Sequence, residues 1–138
     1  MAQQEGISAF LDEVACEAIG ASLDLLAEGG ELHPTAYYAK RGGQIEQAVF
    51  EDDDPDACLQ AAKRQIRHLG GKADVYALAY DGFIQTEKGA PAEDAVIVEM
   101  GERGSKKAYS AAVAYRRDKN GSFSYADPVP AGEEELLL

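Results

Sequence analysis

The feature that most constrains the fold is an apolar stripe at helical spacing across residues 6–28. At about 100° per residue, the apolar side chains fall on one side of a helix and the acidic side chains on the other, so the stripe must pack against another layer. Gly29 and Gly30 then end the helix, because glycine adopts a left-handed backbone conformation without a Cβ clash. The predicted stripe consists of Ile7, Phe10, Leu11, Val14, Ala18, Ser22, Leu25 and Leu26.

A second helix follows a predicted β-hairpin. Residues 35–40 and 44–50 are strand-like runs joined by a glycine-rich turn. Asp54 is placed to cap a helix that begins at Pro55, since proline has no N–H to leave unpaired at that position and nearby carboxylates favour the positive end of the helix dipole. The predicted buried stripe of this helix consists of Cys58, Leu59, Ala62, Ile66 and Leu69.

The carboxyl-terminal half is predicted to form strands at 74–80, 83–84, 94–100, 107–117 and 122–125, with a bend or a bulge at Asp81-Gly82. The first run alternates large and small side chains, which suits a sheet with a helix on its alanine-rich face. We therefore predict an α+β fold of order α-β-β-α-β-β-β, with a single antiparallel sheet of five or six strands and two helices packed on one face. Residues 1–130 would form one domain and residues 131–138 a loose tail. This element order is similar to that of the roadblock and profilin-like architectures.

The charge balance excludes two classes of partner. The chain has 13 Lys and Arg against 25 Asp and Glu, a formal net charge of −12. Such a polyanion repels nucleic acid and anionic membranes, so we expect it to bind neither. The start of the sequence lacks a basic signal-peptide segment and no apolar run reaches 18 residues, which favours a cytoplasmic protein. In that compartment Cys16 and Cys58 are expected to be reduced and mostly buried.

The charges are segregated along the chain. Residues 1–32 hold seven acids and residues 51–56 five, with no Lys or Arg in either segment, whereas 57–72 and 101–120 are rich in cations. The acids can simply solvate one helix and cap the other, but they can also form a surface that attracts a basic protein. The leading hypothesis is a non-enzymatic protein–protein interaction module, of which an immunity-type inhibitor that neutralises a toxin is one concrete form. The predicted binding residues are Asp12, Glu13, Glu17, Asp24, Asp52, Asp53 and Asp54.

The motifs that would indicate chemistry are incomplete. Asp52, Asp54 and Asp56 match the first half of a calcium loop, but Ala57 and Lys63 occupy the positions that need glycine and glutamate. Residues 101–107 combine glycines with cations, but they lack the spacing and the following helix of a phosphate-binding loop. We therefore predict no catalytic residue, no cofactor and no bound metal.

Two alternative functions remain open at the level of sequence. One is a small-molecule-binding or enzymatic domain with a pocket near loops 81–94 or 101–106, whose polar lining would be Asp81, Glu99 and Arg103. The other is a homo-oligomer, such as a homodimer, formed along an exposed sheet edge or apolar face.

Overall fold

The structure is a computed structural model that describes residues 7–51, 54–85 and 88–138. Within these ranges the chain forms two α-helices, seven β-strands and a short 3₁₀ helix at Gly70–Lys72. The elements in chain order are α1 (Ala9–Ala27), β1 (Thr35–Ala39), β2 (Glu46–Val49), α2 (Pro55–Arg67), β3 (Val75–Ile84), β4 (Glu93–Glu102), β5 (Ala108–Arg117), β6 (Phe123–Tyr125) and β7 (Val129–Glu134).

Both helices begin at a residue whose side chain caps the first turn. The Ser8 hydroxyl accepts the backbone N–H of Leu11 at 3.1 Å. The Asp54 carboxylate accepts the N–H of Asp56 at 3.0 Å, and Pro55 is the first residue of α2. These caps satisfy donors that have no partner inside the helix, so the predicted start of α2 is confirmed.

The strands form one antiparallel sheet in the order β2-β1-β3-β4-β5-β6, and β7 also pairs with β5. The predicted α+β class and element order are confirmed, with seven strands in the described ranges rather than five or six. β3 continues through Asp81 and Gly82 in unbroken register with β4, without the predicted bend or bulge. A Cβ added at Gly82 would lie 2.8 Å from Cγ1 of Ile97, so a close side-chain contact explains this glycine.

The two faces of the sheet carry separate cores. On one face, the apolar stripe of α1 packs on the small side chains of the central strand β3 and on the valines of β4. On the other face, α2 packs on the large side chains of β3 through Ala62 and Ile66. The β3 residues that face α1 are Val75, Ala77 and Ala79, and those that face α2 are Tyr76, Leu78 and Tyr80.

The prediction that both helices pack on one face is therefore wrong. Successive strand residues point to opposite faces, and β3 carries apolar side chains at both sets of positions. A strand with apolar side chains on both faces must be covered on both faces if those side chains are to be removed from water. The alanine-rich face accommodates α1 closely, while Tyr76 and Leu78 provide the apolar surface that α2 covers.

The residues at the end of the chain belong to the sheet and to the core on the α2 side of the sheet, which we call the second core. β7 occupies Val129–Glu134, and Leu137 is only 7% exposed in the core that α2 covers. The backbone N–H of Leu137 donates to the Tyr76 hydroxyl at 3.2 Å. The prediction of a loose tail at 131–138 is wrong, because the apolar residues after β7 cover part of the sheet face that α2 leaves open.

Candidate functional site

The outer side of α1 presents an acidic face, which we define as Glu13, Glu17, Asp24 and Glu28. All four residues are exposed, because the helix turns its apolar stripe to the sheet and places these positions on the opposite side. Asp12, also predicted here, is half-buried near Cys16. The structure thus brings three of the predicted α1 residues, together with Glu28, onto one exposed side of the helix.

Four of the carboxylates on the strands form ion pairs, whereas those of the acidic face form none as far as the structure describes the chain. Among the described residues, the ion pairs of the strand carboxylates join Glu93 to Arg116, Glu99 to Lys63, Glu102 to Arg41 and Glu133 to Lys107. Within the same part of the chain, no ion pair involves a residue of the acidic face. The acidic face is therefore a group of four unpaired carboxylates on one side of a single helix, while other unpaired acids, such as Glu46, Asp94 and Asp118, lie in separate parts of the chain.

Asp54, the predicted binding residue of segment 51–56 that the structure describes, does not extend the acidic face. Asp54 caps α2, which packs on the opposite side of the sheet from α1. The other two predicted residues of this segment, Asp52 and Asp53, lie outside the described residues. Leu26 near the end of α1 and Asp56 near the start of α2 line the same cavity.

This cavity, which we call the end cavity, has a volume of about 750 Å³. It lies where β1 stops pairing with β3 at Ala79, so Tyr80 and Asp81 continue past the neighbouring strand. The turn after α1 and the start of α2 form its other walls. The lining includes three carboxylates and one guanidinium, contributed by Glu31, Asp56, Asp81 and Arg117.

Hydrogen bonds hold the polar groups of the end cavity in place. The Tyr115 hydroxyl donates to Oδ1 of Asp81 at 2.8 Å, and the Arg117 guanidinium donates to the Leu26 carbonyl at the end of α1. The Tyr80 hydroxyl donates to Oε2 of the buried Glu99 at 2.6 Å. The hydroxyls of Tyr80 and Tyr115 and the guanidinium of Arg117 in the cavity wall thus already form hydrogen bonds within the protein.

The carboxylates beside the two tyrosines oppose their ionisation. Burial raises the pKa of Tyr115 well above its usual range, and the hydrogen bond to Asp81 and the charge of Asp94 raise it further. Burial, followed by the hydrogen bond to Glu99, raises the pKa of Tyr80 in the same direction. Both hydroxyls therefore stay protonated at neutral pH and act as donors to their carboxylates.

The structure does not bring together the three residues predicted to line an alternative pocket. Asp81 lines the end cavity, whereas Glu99 lies buried beneath α2, 3.7 Å from the Lys63 ammonium group. Arg103 binds the carbonyls of Gly70 and Ala73 and thereby ties β4 to the loop before β3. The polar pocket of the sequence prediction is thus divided among three places with different roles.

The cysteines are not joined to each other. Cys16 is exposed, contrary to the expectation that both thiols would be buried, and Cys58 is buried at 2% exposure. Burial of the sulfur and the nearby charge of Asp12 raise the pKa of the Cys16 thiol. Within the described ranges, no group of three or more His, Cys, Asp or Glu residues is arranged to hold a metal ion.

Comparison of the chain with known protein families, with curated proteins and with solved structures finds no match. In the part of the chain that the structure describes, none of the helices has the length and apolarity needed to cross a lipid bilayer.

Sequence reasoning missed most of the end cavity. Asp81 was predicted as pocket lining, but Glu31, Asp56 and Tyr115 come from three segments that no motif connects. Their meeting depends on how far β3 extends past β1 and on α2 packing opposite α1. A signal was present only in the even spacing of Asp81 from Val75, Ala77 and Ala79, which places its side chain on the same face of β3.

Proposed function

We propose that this protein is a non-enzymatic interaction module that binds a basic protein through the acidic face of α1. The observation that supports the proposal is that four exposed carboxylates are grouped on one side of α1, none of them with an ion-pair partner among the described residues. Clustered charge of one sign accelerates encounter with an oppositely charged partner and disfavours wrong partners. An immunity-type inhibitor of a basic toxin is one form that such a module takes.

The position of the acids along α1 supports a role beyond solvation. Asp24 stands in the last turn and Glu28 at the C-cap, and the last turn has no basic residue. Carboxylates near the negative end of a helix dipole oppose the stability of the helix by a fraction of a kcal/mol each. Solvation alone would be served equally well by lysine at these two positions, so their sign favours a function for negative charge.

The test neutralises the acidic face and measures binding of a defined basic probe. In the variant Glu13→Gln/Glu17→Gln/Asp24→Asn/Glu28→Gln, we expect about tenfold weaker binding of a fluorescein-labelled peptide of six Gly-Lys repeats at 50 mM NaCl. This estimate sums four exposed charge pairs, each of which contributes a few tenths of a kcal/mol. The smaller number of charges contacted should also reduce the salt dependence of binding.

The matched control removes the same charge elsewhere, at the exposed residues Glu46, Glu51, Asp118 and Asp127. We expect this variant to bind the peptide within twofold of wild type. Equal losses in the two variants would mean that the peptide responds to net charge alone, and the proposal would be abandoned. A protein captured from cell extract at low salt, and released at high salt, should then show the same difference between the two variants.

A second candidate function is favoured by the end cavity. Its volume of about 750 Å³ falls in the usual range of ligand sites, and its carboxylates select for a cation. Under this alternative, a small organic amine such as spermidine would bind beside Asp81. Saturation-transfer NMR should detect spermidine but not citrate, and Asp81→Asn should weaken the signal; no signal from either compound would exclude the alternative.

A further inference from the structure

The face of the sheet that carries α1 continues beyond the end of the helix as an exposed aromatic surface. Phe83 is 72% exposed and Tyr125 is 63% exposed. Single exposed apolar side chains are common on protein surfaces, but rings that share one face form a larger apolar surface, and burying it against a partner would remove that surface from water.

Strand register places these rings in line on one face. Phe83 pairs with Asp94 of β4, and the pairing of Ala95 with Ala114 brings Asp94 opposite Tyr115 of β5. Tyr115 in turn pairs with Tyr125 of β6. Paired residues share a face, and neighbouring strands lie about 4.8 Å apart. One line across four strands therefore contains Phe83, Asp94, Tyr115 and Tyr125.

A further ring completes the surface. The ring of Phe123 lies 5.7 Å from that of Tyr115 and 6.4 Å from that of Tyr125, measured between centroids. We call Phe83, Tyr115, Phe123 and Tyr125 the aromatic row. Tyr115, which is buried, Phe123 and Tyr125 hold one another in place at distances that are favourable for ring pairs, whereas Phe83 lies two strands from Tyr115.

Exposed carboxylates lie among these rings. Asp94 stands in the row itself, between Phe83 and Tyr115, and Asp81 lies two residues before Phe83 on the same face of β3. Both charges act on the Tyr115 hydroxyl. The neighbouring cation, Arg117, donates to the Leu26 carbonyl, so it is directed to the end of α1.

We propose that the aromatic row, with Asp81 and Asp94, is a docking site for arginine side chains of a basic protein partner, one of them beside Phe83 and another beside Tyr125. A guanidinium stacks flat on aromatic rings while its N–H groups donate to carboxylates beside them, and lysine satisfies this combination less well. The inference rests on the proposed function for the class of partner, and it adds a second contact surface and a preferred residue. A second copy of the chain fits poorly here, because each copy has a formal net charge of −12 and would place carboxylates against carboxylates.

The experiment compares two labelled peptides, six Gly-Arg repeats and six Gly-Lys repeats, by fluorescence anisotropy at 150 mM NaCl. We expect wild type to bind the arginine peptide about fivefold more tightly than the lysine peptide. Phe83→Ala and Tyr125→Ala should each reduce this preference below about twofold and leave the lysine affinity nearly unchanged. Phe83→Leu, which keeps an apolar side chain but removes the π face, should have the same effect.

The control is Val49→Ala, since Val49 is 50% exposed on β2, at the opposite edge of the sheet. It should leave the preference for arginine intact. If wild type shows no preference for the arginine peptide, or if the Phe83 and Tyr125 variants retain that preference, the aromatic row is not the arginine site. The proposed function is tested separately, because neutralising the acidic face should weaken the binding of both peptides. Failure of both peptides to bind would overturn both proposals. Light scattering that finds a wild-type dimer and a Phe83→Ala monomer would instead assign the row to self-association and overturn this one.

Discussion

The most direct test of the second core is the substitution Leu137→Ala, one residue from the end of the chain. Leu137 is 7% exposed and packs in the core cluster that contains Ile66, Tyr76 and Leu78. Replacing a buried leucine by alanine costs about 2–5 kcal/mol, with the smaller values where the surroundings can close the gap. A segment that follows the last strand can move inward, so we expect a loss of about 2 kcal/mol.

Equilibrium unfolding in urea measures this loss. For a protein of this size, a slope of about 1–3 kcal/mol per M converts it into a fall in midpoint of about 1 M. The matched control is Leu25→Ala, since Leu25 is 39% exposed on α1 and its truncation should change stability by less than about 0.5 kcal/mol. If Leu137→Ala unfolds at the same urea concentration as this control, the end of the chain contributes nothing to the core and the packing argument fails.

Two further predictions concern titration and thiol reactivity. Burial raises the pKa of Tyr76 to about 12, whereas an unfolded tyrosine titrates near 10, so the folded state holds its proton more tightly and wild-type stability should fall between about pH 10 and pH 12. Tyr76→Phe should lose about 1 kcal/mol at pH 7, because the Leu137 N–H loses its acceptor, and should show a smaller alkaline loss; urea unfolding at pH 9 and pH 11 checks both, and an unchanged alkaline loss would contradict the assignment. For the thiols, a disulfide reagent at pH 8 should label exposed Cys16 in the native state and buried Cys58 only on unfolding. Asp12→Asn should accelerate Cys16 labelling about twofold by lowering its pKa, and an equal acceleration by Glu13→Gln would contradict the role of Asp12.

Local signals were sufficient to predict both α-helices and the first six strands. The start of α2 depends on Asp54 and Pro55, whose effects act within one helical turn, and the structure confirms both. The α1 stripe was largely correct, although Leu23 is buried and Leu25 is 39% exposed. Sequence spacing alone does not resolve which of two leucines two positions apart faces the sheet at the end of a helix, because the final turn depends on what it packs against.

Placement of the elements required information that the sequence does not express locally. The run from Val75 to Tyr80 is apolar at every position. Its alternation of large and small side chains predicted a strand, but it did not indicate that helices cover both faces of that strand. The tail was predicted to be loose because the two prolines at 128 and 130 favour an end to regular structure, yet β7 includes Pro130 and the leucines after β7 complete the core. The end cavity depends on this long-range packing, and only Asp81 among its polar residues was anticipated.

The division of β3 into a small-residue side and a large-residue side makes the pairing of this strand intolerant of register slips. If β3 moved by one position against β1 and β4, the rings of Tyr76 and Tyr80 would lie beneath α1, and Ala77 and Ala79 beneath α2. One interface would then be overfilled and the other left hollow, so neither helix could dock. A single inserted residue between Val75 and Tyr80 should therefore lower the stability of the fold more than any single substitution there. The same mismatch disfavours wrong strand registers while the sheet assembles.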